Sequence, residues 1–469
     1  MKLNFPTKRT KIVCTIGPSS WDVEPMTKMI ENGMNVARIN GAFADVPELE
    51  RVAKVIRSIS DDVAILLDIK GNEIRLNKFA EPINIKPGDE IILGSDATER
   101  IYPVTYPDLY KDIAAGQMMK IDKGEVTMVV TKIENKKIYC TILTGDVIKG
   151  GKGMNIPGAH LKNPAITPRD IEQIKFACAD NWDFVAGSFI RNASDVEITR
   201  KVMTNPKLKF IAKIEDQQGI DNFEEILKAS DGIMIARGDL GSEVPMERLP
   251  ILQKEMIAFC NHAAKPVITA TNMLESMIEK PFPTRAEVTD VANAVLEGTD
   301  ALMTSGETTS GKYPVETLDM MSRIAVENEK YIDPDMIPVE FFEDKQVAVA
   351  ISNAAYEMAT TLELDAIVTL SSNDTMPRLI SRFSLPCKII SLLQDTGLKR
   401  QLNMSKGVEA VEFIREFTDR DDAANSVKAF LKEKNLVKKG EKILILGKFQ
   451  GKSEKITNYP NFFEFIQID

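Results

Sequence analysis

The chain has 469 residues, 43% of them hydrophobic and 27% charged, enough for about two to four domains with a sizeable core. A formal net charge of −10 excludes nucleic acid or a membrane surface as the main partner, although a local cluster of Lys and Arg can still serve an anionic substrate. Two histidines, His160 and His262, nearly exclude Ser-His-Asp and His-rich zinc chemistry, so any acid–base or metal work must rest on carboxylates, Lys, Arg and hydroxyls.

The first segment alternates strand and helix. "KIVCTIG" (11–17) is an apolar run ended by Gly17-Pro18, and "VEPMTKMIENG" is an amphipathic helix stopped by Gly33. "NVARIN" follows as a strand, "PELERVAKVIRSIS" as a helix and "VAILLDI" (63–69) as a strand. After Gly71 the pattern changes: residues 82–148 show period-two alternation, β-branched residues and Lys-Pro-Gly or Asn-Lys-Lys turns, which predicts an all-β insert.

Alternation resumes near residue 160. Thr167, Pro168 and Asp170 predict a capped helix start. "WDFVAGSF", "KFIAKI", "GIMIAR", "KPVITAT" and "ALMTSG" read as further strands separated by helices, and a helix over 314–332 closes the region. Three strands before the insert and five after it make eight, the count of a (β/α)8 TIM barrel. From about 345 a helix and the strands "AIVTL", "KIISLL", "VEAVEF" and "KILILG" predict a C-terminal α/β open sheet. The expected division is a catalytic barrel over 1–71 and 158–335, a β-barrel-like lid over 72–157, and an α/β effector or interface domain over 340–469. The junction falls at "ENEKYIDPD" with Pro334 and Pro338.

Five scattered cysteines, Cys14, Cys140, Cys178, Cys260 and Cys387, form no C-x-x-C and read as buried thiols of a cytoplasmic protein. The N-terminus "MKLNFPTKRTK" lacks the apolar core of a signal peptide, and no apolar run reaches the length of a membrane span.

Barrel chemistry sits at the C-terminal ends of the strands. Here those ends carry Thr15, Arg38 and Asn40, Asp68 and Lys70, Ser188, Lys213 and Glu215, Arg237 and Asp239, Thr271, and Ser305 and Glu307. Lys213 and Glu215 are two apart and so share a face. Alone, Lys213 fits a Schiff-base nucleophile, an electrostatic clamp or a structural ion pair. Glu215 and Asp239 on neighbouring strands make a hard-oxygen site for Mg2+ or Mn2+. Asp239 also reads as the N-cap of a tight βα turn in "ARGDLG", whose backbone N–H groups can face an anion. Arg38, Arg75 and Lys152 converging on one mouth would suit a phosphate-bearing substrate.

With these residues in place the chain resembles the pyruvate kinases. The motifs "TKIVCTIGPSS", "GMNVARIN", "LLDIKGNEIR", "GKGMNIPGAHL", "FVAGSFIR", "IAKIED", "SDGIMIARGDLG", "KPVITATNMLESM", "PTRAEVTDVANAV" and "SGETTSGKYP" stand in the family's order across about 1–330. The resemblance implies transfer of a phosphoryl group from phosphoenolpyruvate to ADP, giving ATP and pyruvate in glycolysis, usually by a cytoplasmic homotetramer. It implies that Lys213 stabilises the transferring phosphoryl group and that Glu215 and Asp239 hold Mg2+ or Mn2+. Arg38 and Arg75 would bind phosphate. The backbone of Ala236, Arg237, Gly238 and Asp239 would take the substrate carboxylate with Thr271. Thr271 and Ser305 would lie where the enolate is protonated. Asn40, Asp68 and the Ile69 carbonyl would match ligands of K+, and Pro18, Asn40, Arg75 and Lys152 nucleotide-side positions. The β insert would be the lid that closes over the nucleotide.

The departures cluster on the K+ and nucleotide side. Where the family has Phe-Ser-His, this chain has Gly41-Ala42-Phe43, losing a K+-binding serine and a histidine near ADP. Ile69 replaces a threonine, Asn72 a hinge proline, Asn272 a glutamine and Lys123 an aspartate. The expectation is weak or absent K+ dependence with Lys123 as a substitute charge, although Glu73 matches the K+-dependent type. The alternatives are a paralogue with another second substrate, a metal or Schiff-base aldolase on the same barrel, and a non-catalytic relative. "LSSNDTMPRL" (370–379) resembles the family's effector loop, but Asn373-Asp374 disfavours phosphate and a helix cap by Ser372 or Asn373 is the simpler reading.

Overall fold

The computed structural model describes residues 8–94, 101–335, 346–447, 460 and 462–469. Pro338 of the expected junction lies outside them. Eight strands form a closed parallel barrel: β1 (Lys11–Ile16), β2 (Val36–Asn40), β3 (Ala64–Ile69), β4 (Phe184–Gly187), β5 (Lys209–Ile214), β6 (Gly232–Ala236), β7 (Val267–Ala270) and β8 (Ala301–Thr304). Each strand pairs with its neighbour in sequence, and β8 closes on β1.

Period-two geometry divides every strand between two cores. Val13, Val36, Leu66, Phe184, Ile211, Met234 and Ile268 fill the barrel interior. Their neighbours Ile12, Ala37, Ile65, Leu67, Val185, Phe210 and Ile233 face the helices. Helix starts are set by local chemistry: Thr167 and Asp170 form a reciprocal capping box ahead of Pro168–Ala179, as the sequence predicts.

The insert is all-β, with a six-stranded sheet, a two-stranded sheet and its own core around Leu93, Met119, Met128 and Ile138. It docks on the helix Arg237–Glu243 through Lys120 Nζ to the Ser242 carbonyl at 2.6 Å and Asn155 Nδ2 to Glu243 Oε1 at 2.9 Å.

The C-terminal unit is an open sheet of β9 (Ala366–Leu370), β10 (Lys388–Leu393), β11 (Val408–Glu412), β12 (Lys442–Gly447) and β13 (Phe462–Gln467). Their order is β11-β10-β9-β12-β13. The final strand, antiparallel to β12, was not anticipated. The helix Thr375–Ser381 has Asp374 at its N-cap, not Ser372 or Asn373, and no side chain caps it. Asn373 instead bonds the Thr375 amide at 3.1 Å.

This unit seals the barrel floor. Met404 is fully buried within the barrel's interior cluster. Beside it the Lys406 amide donates to Asp300 Oδ1 at 3.0 Å, and Arg400 Nε meets Asp183 Oδ1 at 2.7 Å. Met404→Ala should therefore cost about 2–5 kcal/mol, the range for emptying a core position. A barrel transition at lower urea concentration is the readout, and an unchanged transition would remove Met404 from the core.

Candidate active site

The residues at the barrel mouth continue the interior series of each strand. Above Val13 comes Thr15, above Val36 comes Arg38, above Leu66 comes Asp68, and above Ile211 come Lys213 and Glu215. Alternation that buries apolar side chains lower down therefore aims polar ones into the mouth.

Four charges form a connected row there. Arg38 Nε and Nη2 both lie 2.7 Å from Asp68 Oδ2. Lys213 Nζ stands 3.1 Å from Asp68 Oδ1 and 3.1 Å from Glu215 Oε1. Arg38 also donates to Thr15 Oγ1 at 2.7 Å, and Lys213 to Ser188 Oγ at 2.7 Å. The four charged side chains are all buried. Burial disfavours the ionised Asp68, yet Arg38 and Lys213 hold its carboxyl below the ordinary value. Burial likewise opposes the Lys213 cation, and Asp68 with Glu215 raises its pKa above the ordinary value.

Glu215 behaves differently. Burial, with repulsion from Asp239 and Asp68, pushes it up to about 7 despite Lys213. The site is thus short of positive charge beside Glu215 and Asp239, and a divalent cation among those oxygens would supply it. Glu215 and Asp239 offer such an ion two hard-oxygen side chains, and among the described residues no cluster of three or more acidic, His or Cys side chains stands ready to hold a metal. Asp239 is not the expected N-cap: Ala236 holds that position without a side-chain cap, and Asp239 lies within the first turn of Arg237–Glu243.

Thr271 and Asn272 take left-handed backbone angles, φ 70° and 53°, a costly conformation for residues with a Cβ. It brings Thr271 Oγ1 to accept the Gly238 amide at 2.7 Å. The Arg237 side chain does not face the mouth. It grips Asp290 through two 2.7 Å bonds and the Thr271 carbonyl at 2.7 Å, so it braces the turn. Glu307, buried, accepts the Ser305 amide at 2.7 Å and the Leu274 amide at 3.1 Å, joining the loops after β7 and β8. The sequence offered no signal for Asp290, because it lies on a helix far from any strand end.

Each of the three expected cations already has a carboxylate partner. Arg38 belongs to the barrel row. Arg75 pairs with Glu73 Oε2 at 2.6 Å and reaches the Gly151 carbonyl at 2.9 Å, and Lys152 pairs with Asp122 at 2.6 Å on the lid. Pro18 is exposed on the turn after β1. Lys123 is exposed, and neither Asn40 nor Asp68 has it as a partner, so the structure places no substitute charge beside them.

The loop after β2 is tightly built. Asn40 Oδ1 accepts the Ala42 amide at 3.0 Å, and Gly41 donates to the Asp68 carbonyl at 2.8 Å. Gln173 Nε2 bonds the carbonyls of Gly41 and Ala44 at 3.0 and 2.8 Å. A Cβ on Gly41 would fall 2.4 Å from Gln173 Oε1 and 3.1 Å from the Asp68 carbonyl. Phe43 is 88% exposed. The expected K+ ligands fit that ion poorly: Asn40 serves the turn, Asp68 serves Arg38 and Lys213, the Ile69 carbonyl accepts Ser188 at 2.8 Å, and Ala42 has no hydroxyl.

A narrow cavity between lid and barrel is lined by Glu73, Asn155, Phe189, Asp216 and Glu243, not by Lys213. It marks the lid hinge, not the reacting centre. Burial pushes Glu243 up to about 7 there.

Gly41→Ala should destabilise the chain by about 1–3 kcal/mol, the usual cost of overpacking. Gln173→Ala in the same chain should recover part of the Gly41→Ala loss, and chemical denaturation of the two variants tests it. Glu243 binds its proton more tightly in the folded chain than in the unfolded one. Its contribution is therefore present below about pH 4.5 and is lost as pH rises through about 7. Glu243→Gln should flatten that slope in stability measured between pH 4 and 8; an unaltered slope would place the titration elsewhere.

Comparison with known proteins converges on one family. The family model "Pyruvate kinase, barrel domain" matches residues 7–318, and "Pyruvate kinase, alpha/beta domain" matches 349–460. The chain is 37% identical to pyruvate kinase of Geobacillus stearothermophilus over 453 residues, 93% of this chain and 77% of the relative. It is 38% identical to that of Dictyostelium discoideum over 472 residues, 95% of this chain and 93% of the relative. The crystal structure of a pyruvate kinase from Cryptosporidium parvum superposes with a TM-score of 0.90 at 33% identity, covering 98% of this chain and 96% of that one. The eight-stranded barrel with its C-terminal α/β unit, a mouth built on Lys213, and these matches agree: the chain belongs to the pyruvate kinase family of phosphotransferases.

Proposed function

We propose that the mouth of this barrel carries out the pyruvate kinase reaction, phosphoenolpyruvate plus ADP to pyruvate plus ATP, with the residues described above in the following roles. The observation that carries the assignment is a buried lysine kept cationic by two carboxylates beside a deficit of positive charge. Lys213 neutralises charge on the phosphoryl group as it leaves one oxygen for another, which is most of what such a transfer asks of a protein. Arg38 binds the same group from the opposite side of Asp68. The backbone from Ala236 to Asp239, with Thr271, takes the substrate carboxylate. Thr271 and Ser305 pass a proton through water to the enolate carbon. A divalent cation, Mg2+ or Mn2+, held by Glu215 and Asp239 would supply Lewis-acid charge to the enolate oxygen.

ADP is assigned to the rim at Pro18, Asn40, Arg75 and Lys152. The lid closes over it and excludes water, so that hydrolysis does not compete. The family implies a divalent metal and K+ in general; the engaged ligands around Asp68 support weak K+ dependence in this chain. The family's cytoplasmic, homotetrameric habit is carried over as part of this reading. Among the described residues no helix is long and apolar enough to cross a membrane.

Lys213→Met should lower kcat by about 10²–10³-fold or more while phosphoenolpyruvate still binds. A coupled pyruvate-release assay and equilibrium binding separate the two, and retained turnover would refute the assignment. The same assay, run over a panel of nucleoside diphosphates with and without K+, tests the altered rim. Rates that climb many-fold with K+ would overturn the inference drawn from Ala42. Trapping of pyruvate on Lys213 by borohydride would instead favour aldolase chemistry.

A further inference from the structure

The cations at the strand ends and rim of the mouth divide into paired and unpaired. Arg38, Arg75, Lys152, Lys213 and Arg237 each have a carboxylate oxygen within 3.1 Å. Lys70 is the exception. It is half-buried, and among the described residues its ammonium group makes no hydrogen bond and no ion pair. The roles assigned above leave it unused.

Its backbone is fixed although its side chain is not. Lys70 follows Ile69, the last residue of β3. Ser188 holds the chain on both sides of it. The Ser188 hydroxyl donates to the Ile69 carbonyl at 2.8 Å, and the Ser188 carbonyl lies 2.8 Å from where a Cβ on Gly71 would stand. Gly71 takes φ 64°, a turn that suits a residue without a Cβ. The same hydroxyl accepts Lys213 Nζ at 2.7 Å. One serine thus ties the backbone around Lys70 to the lysine of the charged row. Asn163 Nδ2 bonds the Asn72 carbonyl at 2.6 Å and anchors the chain where it leaves for the lid.

Lys70 stands two residues beyond Asp68, about 6–7 Å farther along an extended chain. It therefore lies a layer outward of Arg38, Asp68, Lys213 and Glu215, at the root of the lid. Its charge is felt there. Burial raises the Glu73 carboxyl and Asp239 adds to the rise, whereas Arg75 and Lys70 oppose it. Glu73 thus feels both the unpaired cation and one of the two carboxylates that would hold a divalent ion.

We propose that Lys70 binds the terminal phosphate of the nucleoside diphosphate that accepts the phosphoryl group. This rests on the reaction assigned above. That phosphate carries roughly two negative charges at neutral pH and must be held outward of the donor's phosphoryl group, in line with it. Lys213 and Arg38 serve the inner layer. Arg75 and Lys152 must give up Glu73 and Asp122 before they can serve the outer one. Lys70 has no partner to give up, so the attraction of its charge goes to the ligand. An ammonium on a flexible stem is a point charge that can follow the phosphate as the lid closes.

Kinetics and equilibrium binding with Mg2+ test this. Lys70→Met should lower kcat/KM for ADP about tenfold to a hundredfold, the cost of a charge-assisted bond. The dissociation constant of phosphoenolpyruvate, measured without nucleotide, should match wild type. Lys70→Arg keeps the charge and should recover most of the loss. Titration with N-methylanthraniloyl-ADP reads the same weakening without turnover. AMP, which lacks that phosphate, should compete equally well in Lys70→Met and wild type. An unchanged thermal transition in Lys70→Met shows that the loss is not unfolding; should that variant not fold, Lys70→Gln carries the same expectation. Equal ADP affinity in wild type and variant would overturn the proposal, as would equal weakening of ADP and AMP, or of ADP and phosphoenolpyruvate. Absence of phosphoryl transfer by the wild type would instead overturn the assigned reaction, and the ADP titration would still decide Lys70.

Discussion

A row of alternating charge, Arg38, Asp68, Lys213 and Glu215, crosses the mouth of the barrel and is buried along its length. Isolated, any one of these groups would change its protonation state or destabilise the fold by several kcal/mol. Together they keep a lysine cationic in a buried site, where a fixed charge acts on a bound anion far more strongly than it would in water. The row is not quite balanced. Asp239 adds negative charge next to Glu215, which is why Glu215 rises while Asp68 falls. On the function proposed above, that imbalance would be the electrostatic reason for a divalent cation beside Glu215 and Asp239.

The rest of the mouth serves to hold this row still. The Arg237 side chain is a brace, tied to Asp290 and to the turn that carries Thr271, and leaves its backbone at the mouth. Glu307 ties the last two strand ends together by accepting two amides. The left-handed angles at Thr271 and Asn272 are strain that these bonds sustain. At the opposite end, the C-terminal unit plugs the barrel with Met404, so the floor is a packed interface and not solvent. Catalytic mouth and sealed floor are separate devices on one scaffold, in keeping with how barrels divide function from stability.

The loop Gly41-Ala42-Phe43 shows how composition and packing answer different questions. By composition it offers no hydroxyl and no imidazole, only Gly41, Ala42 and an exposed Phe43. By packing, Gly41 is required: Gln173 and the Asp68 carbonyl occupy the space where a side chain would stand. The charged row beside it is complete, with Asp68 paired to both Arg38 and Lys213.

Most of the barrel was legible from sequence because its signals are local. Strand periodicity, Gly and Pro punctuation and a capping box need only neighbours along the chain, and the same parity that buries Val36 and Ile211 aims Arg38 and Lys213 upward. What the sequence did not show needed knowledge of partners distant in sequence. Lys152 pairs with Asp122, β13 returns antiparallel to finish a parallel sheet, and Met404 enters a core built more than 100 residues earlier. The sequence by itself determined which groups stand at the strand ends, because strand alternation is a property of the backbone. Only the tertiary structure decided which of those charges are already neutralised and which remain to act, because a charge's work depends on what closes against it in space.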